Sequence, residues 1–222
     1  MNTARSIKQN PPQDASHDAE ITPEVLYVDD AILVVNKPAG LLAVPGRGPE
    51  KQDCLALRVA QHYPETRVVH RLDMATSGLM LFARSLVMQR TLSRLFETRQ
   101  IEKHYMALVC GVLPESGEIA LPIAPDWPNR PRQKIEPIYG KAALTRFRCL
   151  DADPSVSRLL LEPVTGRTHQ LRVHLAAIGH PIVGDTLYEG TAAERLMLHA
   201  TMLAFIHPER HERLLFESAA PF

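Results

Sequence analysis

Residues 68–83 constrain the fold more than any other stretch of this chain. Val68-Val69 and Leu79-Met80-Leu81-Phe82-Ala83 are short apolar runs with bulky or β-branched members, and they read as buried strands. Between them lies a polar segment, His70-Arg71-Leu72-Asp73-Met74-Ala75-Thr76-Ser77-Gly78, which sets an imidazole, a guanidinium and a carboxylate side by side. Gly78 is the position at which the chain is expected to turn into the second strand, because it lacks a Cβ. A carboxylate on such a loop is fixed by the strands on either side while its oxygens stay reachable. Taken alone, an Arg-x-Asp turn reads first as a surface ion pair.

The rest of the chain mixes strands and helices without strict alternation, which points to an α+β class rather than a doubly wound sheet. Val25–Val28 and Ala31–Val35 are strand-like around an Asp29-Asp30 turn. Asp53 to Tyr63 reads as a helix with Asp53 as its N-cap. Ser85 to about Thr98 reads as a second helix, capped by Ser85, with Met88, Leu92, Leu95 and Phe96 as a core stripe. Strands are predicted from Lys103, over Lys141–Leu150 and Ser157–Pro163, and over Leu196–Ile206 and Leu214–Glu217. A third helix is predicted after Thr168 as cap, with Leu171, Leu175 and Ile178 on one face and Gly179 past its end. Residues 1–24 show no periodicity and are expected to form a loose tail ahead of a folded region at 25–222.

Charge and cysteine content exclude several classes. There are 25 basic and 25 acidic residues. The balance argues against coating nucleic acid by net charge, but not against a local basic surface. One such surface is indicated between Asp126 and Arg148, where basic residues outnumber acidic ones. Its start, Asp126-Trp127-Pro128-Asn129-Arg130-Pro131-Arg132-Gln133-Lys134, interleaves cations with the one tryptophan, as a loop touching RNA would. Arg84, Arg90, Arg94, Arg99 and Lys103 form another basic series, read equally as a solvated helix face or as phosphate contacts. Cys54, Cys110 and Cys149 suggest neither a disulfide framework nor a thiolate metal site, and a reducing cytoplasm is expected. His169 and His174 are five apart, off the spacing of a helical zinc pair, so no metal is expected. No apolar run is long enough to span a bilayer.

His-Arg-Leu-Asp followed by Thr-Ser-Gly resembles the signature of the RluA-type pseudouridine synthases. Three further segments are similar to that family: Lys37-Pro38-Ala39-Gly40, the Tyr105 that follows basic residues in its strand, and Gly166-Arg167-Thr168-His169-Gln170-Leu171-Arg172. The turn Gly179–Asp185 also looks like the family. The run Asp126–Pro131 resembles the branch that modifies both a large-subunit rRNA loop and the tRNA anticodon stem-loop. The resemblance covers the chain from about Val25 onward. It implies the pseudouridine synthase fold, a mixed and mainly antiparallel sheet with flanking helices, in two subdomains with an RNA cleft between them.

By the same resemblance Asp73 is the catalytic carboxylate, Arg172 pairs with it and orients its oxygens, and Tyr105 stacks on the target base. Arg71 and His70 in the turn, with Trp127, Arg130, Arg132 and Lys134, are the expected RNA-binding residues, and Arg71 is expected to fill the place of an everted base. The implied reaction needs no cofactor and no metal. Its partner is RNA, as rRNA and tRNA stem-loops, and the protein is expected to act as a monomer. The tail is too short for an S4-type RNA-binding module, so the catalytic domain is expected to recognise RNA itself. The sequence leaves open whether Asp73 is a nucleophile or a base. It also leaves two other readings: an RNA-binding protein without activity, and a carboxylate glycoside hydrolase in which Asp73 is one of a pair.

Overall fold

The computed structural model describes residues 23–222; the expected tail, apart from its last two residues, lies outside them. Glu24 already belongs to the first strand. In chain order the elements are β1 (Glu24–Val28), β2 (Ile32–Lys37), α1 (Leu55–His62), β3 (Arg67–Val68), β4 (Ser77–Ala83), α2 (Leu86–Glu97), β5 (Glu102–Cys110), β6 (Ser116–Ile119), β7 (Ile123–Pro125), β8 (Gln133–Ile135), β9 (Thr145–Ala152), β10 (Val156–Pro163), α3 (Gln170–Ala177), β11 (Leu198–Ile206) and β12 (Arg213–Glu217). Ten strands form one sheet, ordered β1-β2-β4-β11-β5-β10-β9-β6, with β3 on β4 and β12 on β11. Every pairing is antiparallel except the short β4–β11 contact. β7 and β8 form a separate hairpin. The fold is α+β, as the mixture of short apolar runs and amphipathic stretches predicts.

The apolar run of β4 has no polar alternation because both of its faces are covered. Leu79, Leu81 and Ala83 join Ile32 and Val34 against Met88 and Leu92 of α2. Met80 and Phe82 join Leu33 and Val35 against Leu55 and Val59 of α1. A strand buried on both sides reads as a continuous hydrophobic segment. A further core packs β5, β9 and β10 against Leu171 and Leu175 of α3.

The two halves of the sheet meet where Ser77 and Gly78 run parallel to His199 and Ala200. Gly78 is therefore inside β4 rather than at the turn before it. Its φ is +112°, and a Cβ there would sit 2.3 Å from the Ala200 carbonyl oxygen and 2.5 Å from its nitrogen. The glycine is required by the close approach of two backbones and by its positive φ.

Local signals read from the sequence meet mixed outcomes. The Ser85 hydroxyl accepts the Met88 N–H at 3.0 Å, as an N-cap should. Gly179 has φ +85° just past α3, and His180 N–H bonds back to the Leu175 carbonyl, ending the helix. Asp53 does not cap α1; its carboxylate holds Arg58 through two hydrogen bonds of 2.8 and 2.7 Å, and Cys54 takes the cap position. Thr168 does not cap α3 either. His169 occupies that place in a left-handed conformation, φ 53° and ψ 17°. Ile178 is 37% exposed, so it does not share the buried face of Leu171 and Leu175. The strand expected from Lys141 begins at Thr145, Lys141 being spent on an isolated bridge to Ile123.

Candidate active site

The loop that joins β3 to β4 carries Asp73 and is fastened on both sides of it. Leu72 is buried against the α1 side of the sheet. The Met74 carbonyl accepts the Gly40 N–H at 2.9 Å and the Lys37 ammonium at 3.1 Å. Lys37 is fully buried, and its ammonium also donates to the carbonyls of Pro38 and Leu41 at 2.8 and 2.7 Å. Burial depresses its pKa to about 7, against the pull of nearby Asp73. The Lys-Pro-x-Gly segment thus lies beneath the loop, as a three-carbonyl clamp. The Thr76 N–H closes the turn on the Asp73 carbonyl at 3.1 Å.

Asp73 opens into a cavity of ≈ 470 Å³, with walls from the Asp73 loop, the end of α2, β5, and the segment Pro163–Arg172. Arg172 points one guanidinium nitrogen at Asp73 Oδ2, 3.3 Å away, while His169 Nε2 stands 3.7 Å from the same oxygen. Oδ1 makes no hydrogen bond to any described residue. Arg172 has a second, closer carboxylate. Its Nε and other terminal nitrogen donate to Asp185 at 2.7 and 2.8 Å, with both side chains almost wholly buried. The paired geometry is the fork that guanidinium and carboxylate make best. Asp185 also accepts the N–H groups of Leu187 and Tyr188, at 3.0 and 3.2 Å, so one carboxylate holds both the arginine and the turn beside it.

Sequence reading names Asp73, Tyr105, Arg172, Arg71 and His70, and the structure brings all five to this cavity. Tyr105 packs between two of the cores with its ring in the wall. Burial and the Asp73 charge raise its pKa, so it stays a phenol. Arg71 is exposed and makes no hydrogen bond or ion pair to a described residue. His70 differs from expectation in how it is used. Its Nε2 accepts the Leu81 N–H at 2.9 Å, its ring lies 4.5 Å from that of Phe96, and desolvation lowers its pKa to about 3. It is a neutral extension of the strand ladder and offers RNA no charge.

Trp127, Arg130, Arg132 and Lys134 are not in the cavity wall. They belong to the β7–β8 hairpin and the 3₁₀ turn Trp127–Asn129 at its tip. Trp127 is 64% exposed, with the Arg130 guanidinium 3.7 Å above its ring. Lys134 is ion-paired with Glu136 at 3.0 Å. Arg132 reaches the site indirectly, over the ring of Tyr188. Of the other basic series, Arg84 is tied to Glu65 and the Asp29 carbonyl, whereas Arg99 and Lys103 join Arg167 in the cavity wall. A chain of zero net charge thereby presents a locally basic cleft.

His174, His180 and His199 are each committed to hydrogen bonds. His174 bonds the Leu121 carbonyl at 2.9 Å and Thr145 at 3.0 Å; His180 bonds the Cys110 carbonyl; His199 lies between Ser77 and Ser218. Sequence reading assigned no role to Lys37, Asp185, His169 or Tyr188, although the first three lie in segments that carry the family resemblance. Among the described residues no helix is long and apolar enough to cross a membrane.

Comparison with known proteins agrees with the geometry. The profile of a family described as RNA pseudouridylate synthase matches residues 31–177. The chain is 46% identical over 204 residues to the dual-specificity RNA pseudouridine synthase RluA of Escherichia coli strain K12, covering 89% of this chain and 93% of that protein. It is 47% identical over 222 residues to the protein of that name from Pasteurella multocida, covering 97% of this chain and 99% of that one. Among solved structures it is similar to human RNA pseudouridylate synthase domain containing 1, with a TM-score of 0.76, 30% identity, and coverage of 93% and 87% of the two chains. A loop-borne carboxylate in a basic cleft, on this sheet and with these relatives, places the chain in the RNA pseudouridylate synthase family, as an isomerase that converts uridine in RNA to pseudouridine.

Proposed function

We propose that Asp73 is the carboxylate that performs the isomerisation, on a uridine everted from a short RNA loop. The observation that carries this is the division of its two oxygens. Oδ2 faces Arg172 and His169, while Oδ1 has no protein partner among the described residues and is left for the substrate. In the reaction the C1′–N1 bond breaks, the uracil turns, a C1′–C5 bond forms, and the hydrogen on C5 leaves as a proton while N1 regains one. Asp73 acts on the sugar or the base in the first half. Asp73 and Tyr105, both in the cavity wall, are the groups placed to take the C5 proton. The Tyr105 ring offers the uracil a flat face as it turns.

Eversion of a base costs a few kcal/mol. Arg71, exposed on the rim and without an ion pair among the described residues, is the side chain that fills the vacated place, and Arg99, Lys103 and Arg167 offset the cost through phosphate contacts. The RNA is a large-subunit rRNA hairpin and the tRNA anticodon stem-loop, which share a loop shape. Support for two substrates comes from the Asp126–Pro131 segment and from relatives named as dual-specificity enzymes.

Release of tritium from RNA labelled with 5-³H-uridine tests the proposal. Asp73→Asn is expected to release none and to bind RNA as before. Arg71→Ala is expected to weaken binding and turnover together. Glu97, the other carboxylate in the cavity wall, is expected to be dispensable, and loss of turnover in Glu97→Ala would favour a carboxylate pair instead.

A further inference from the structure

His169 faces Asp73 Oδ2 and Tyr188 stands behind it, and the scheme above gives neither a step of its own. The His169 ring is 9% exposed, with Nε2 facing Asp73 and Nδ1 2.8 Å from the Tyr188 hydroxyl. Tyr188 is buried, and its hydroxyl accepts the Gln133 N–H at 2.8 Å. Its ring is edge-on to the imidazole and lies beneath two guanidinium groups, Arg172 at 5.2 Å and Arg132 at 5.5 Å.

A phenol has one hydrogen to give and two lone pairs to fill. The Gln133 N–H takes one lone pair. Among the described residues the only recorded partner left for the hydrogen is His169 Nδ1. Burial raises the Tyr188 pKa to about 12, so the hydrogen stays on the phenol. The charged groups around the imidazole are Asp73 and Arg71 from the β3–β4 loop, Arg172 from α3, and Asp185 from the turn after it. Burial outweighs them and holds the imidazole pKa below its ordinary value, which favours the neutral ring that the Tyr188 hydrogen at Nδ1 requires. A neutral imidazole that accepts at Nδ1 carries its proton on Nε2. That N–H points at the Asp73 carboxylate.

We propose that Tyr188 and His169 are a positioning relay for Asp73: the Tyr188 hydroxyl fixes the Nε2–H tautomer of His169, and that N–H donates to Asp73 Oδ2 once the nucleotide fills the cleft. The inference rests on Asp73 being the catalytic carboxylate. The present 3.7 Å separation must close by about half an ångström, a tightening usual when substrate binds. Oδ2 is then held from two sides, and Oδ1 alone turns to the substrate. The relay begins at Gln133, at the foot of the Trp127–Arg132 turn, so RNA seated on that hairpin touches the residues that set the tautomer.

The test uses the full-length enzyme and whichever labelled hairpin, rRNA or tRNA, the wild type turns over. Tyr188→Phe removes only the hydroxyl. It is expected to lower the single-turnover rate about tenfold and to leave the RNA Kd within about twofold. His169→Gln removes the imidazole through which Tyr188 acts and is expected to lower the single-turnover rate, and adding Tyr188→Phe to it should cost nothing more. In ¹H–¹⁵N spectra of histidine-labelled enzyme, the His169 signal, located by its loss in His169→Gln, should show the Nε2–H tautomer in wild type and a mixture in Tyr188→Phe. An Nδ1–H tautomer in wild type overturns the relay. So does an undiminished rate in Tyr188→Phe, or a loss there in which rate, RNA affinity and melting temperature fall together. Turnover by Asp73→Asn would instead overturn the catalytic assignment, a different result from an inactive Asp73→Asn beside a fully active Tyr188→Phe.

Discussion

Replacing Asp185 by Asn removes one charge from the most buried ion pair among the described residues while keeping the shape of the side chain. In the wild type the Asp185 side chain is 0% exposed and accepts two hydrogen bonds from Arg172, whose own side chain is 5% exposed. Breaking one partner of a buried pair typically costs about 3–5 kcal/mol, because the remaining charge has no solvent to turn to. Arg172 keeps its 3.3 Å contact with Asp73, and an amide oxygen can still accept one guanidinium hydrogen. The expected loss is therefore at the lower end, about 3 kcal/mol. For a chain of this size each kcal/mol moves the melting temperature by about 2–4 °C, so Asp185→Asn should melt roughly 6–12 °C below wild type. Urea unfolding of the two proteins measures the difference directly. The double variant Asp185→Asn/Arg172→Met removes the stranded cation and should recover at least about 1 kcal/mol relative to Asp185→Asn. Catalysis should also fall in the single variant, since Asp73 becomes the only carboxylate left to the guanidinium. A loss below about 1 kcal/mol in Asp185→Asn, or a double variant as unstable as the sum of the single ones, would refute this account of how Arg172 is held.

Other expectations rest on separate observations. In the unfolded chain Lys37 keeps its proton up to its ordinary value of 10.5, but in the folded protein it releases it near 7. Between those values the unfolded state holds more protons, so the contribution of Lys37 to stability rises with pH and is lost as pH falls through 7. The urea stability of wild type minus that of Lys37→Met should accordingly be greater at pH 9 than at pH 6. Gly78→Ala, with a Cβ forced to 2.3 Å from the Ala200 oxygen, should fail to give soluble folded protein; Gly40→Ala, with φ +84° and nothing within 4 Å, should fold and lose only about 1 kcal/mol. Neutralising Arg99, Lys103 or Arg167 one at a time should weaken all RNA binding and reduce the slope of log Kd against log salt by about 0.7–0.9 each. An unchanged slope would remove that residue from the phosphate-contacting wall.

The parts of this protein legible in its sequence are those encoded by neighbours along the chain. Leu79–Ala83 declares a doubly buried strand, Ser85 declares a helix start and Gly179 a helix end, because each signal acts within a few residues. The Asp73 turn stands out for the same reason: its base, cation and carboxylate are adjacent. The short strands β6, β7 and β8 carry no readable period, being three or four residues long. What supports the site is legible only in space. The Lys37 ammonium meets the Met74 carbonyl 37 positions away, and Gln133 meets the Tyr188 hydroxyl 55 positions away. Nothing in the residues around Thr168 foretells that His169 takes the left-handed cap, yet that conformation goes with an imidazole whose Nε2 faces the carboxylate. The sequence reading chose a single partner for Asp73, Arg172, because motif resemblance speaks of residues one at a time. The fold shows Arg172 shared between two carboxylates and Asp73 Oδ2 faced by two nitrogen groups. That sharing leaves one oxygen of Asp73 without a partner among the described residues, the feature of the site most directly useful for chemistry and the one no linear motif can state.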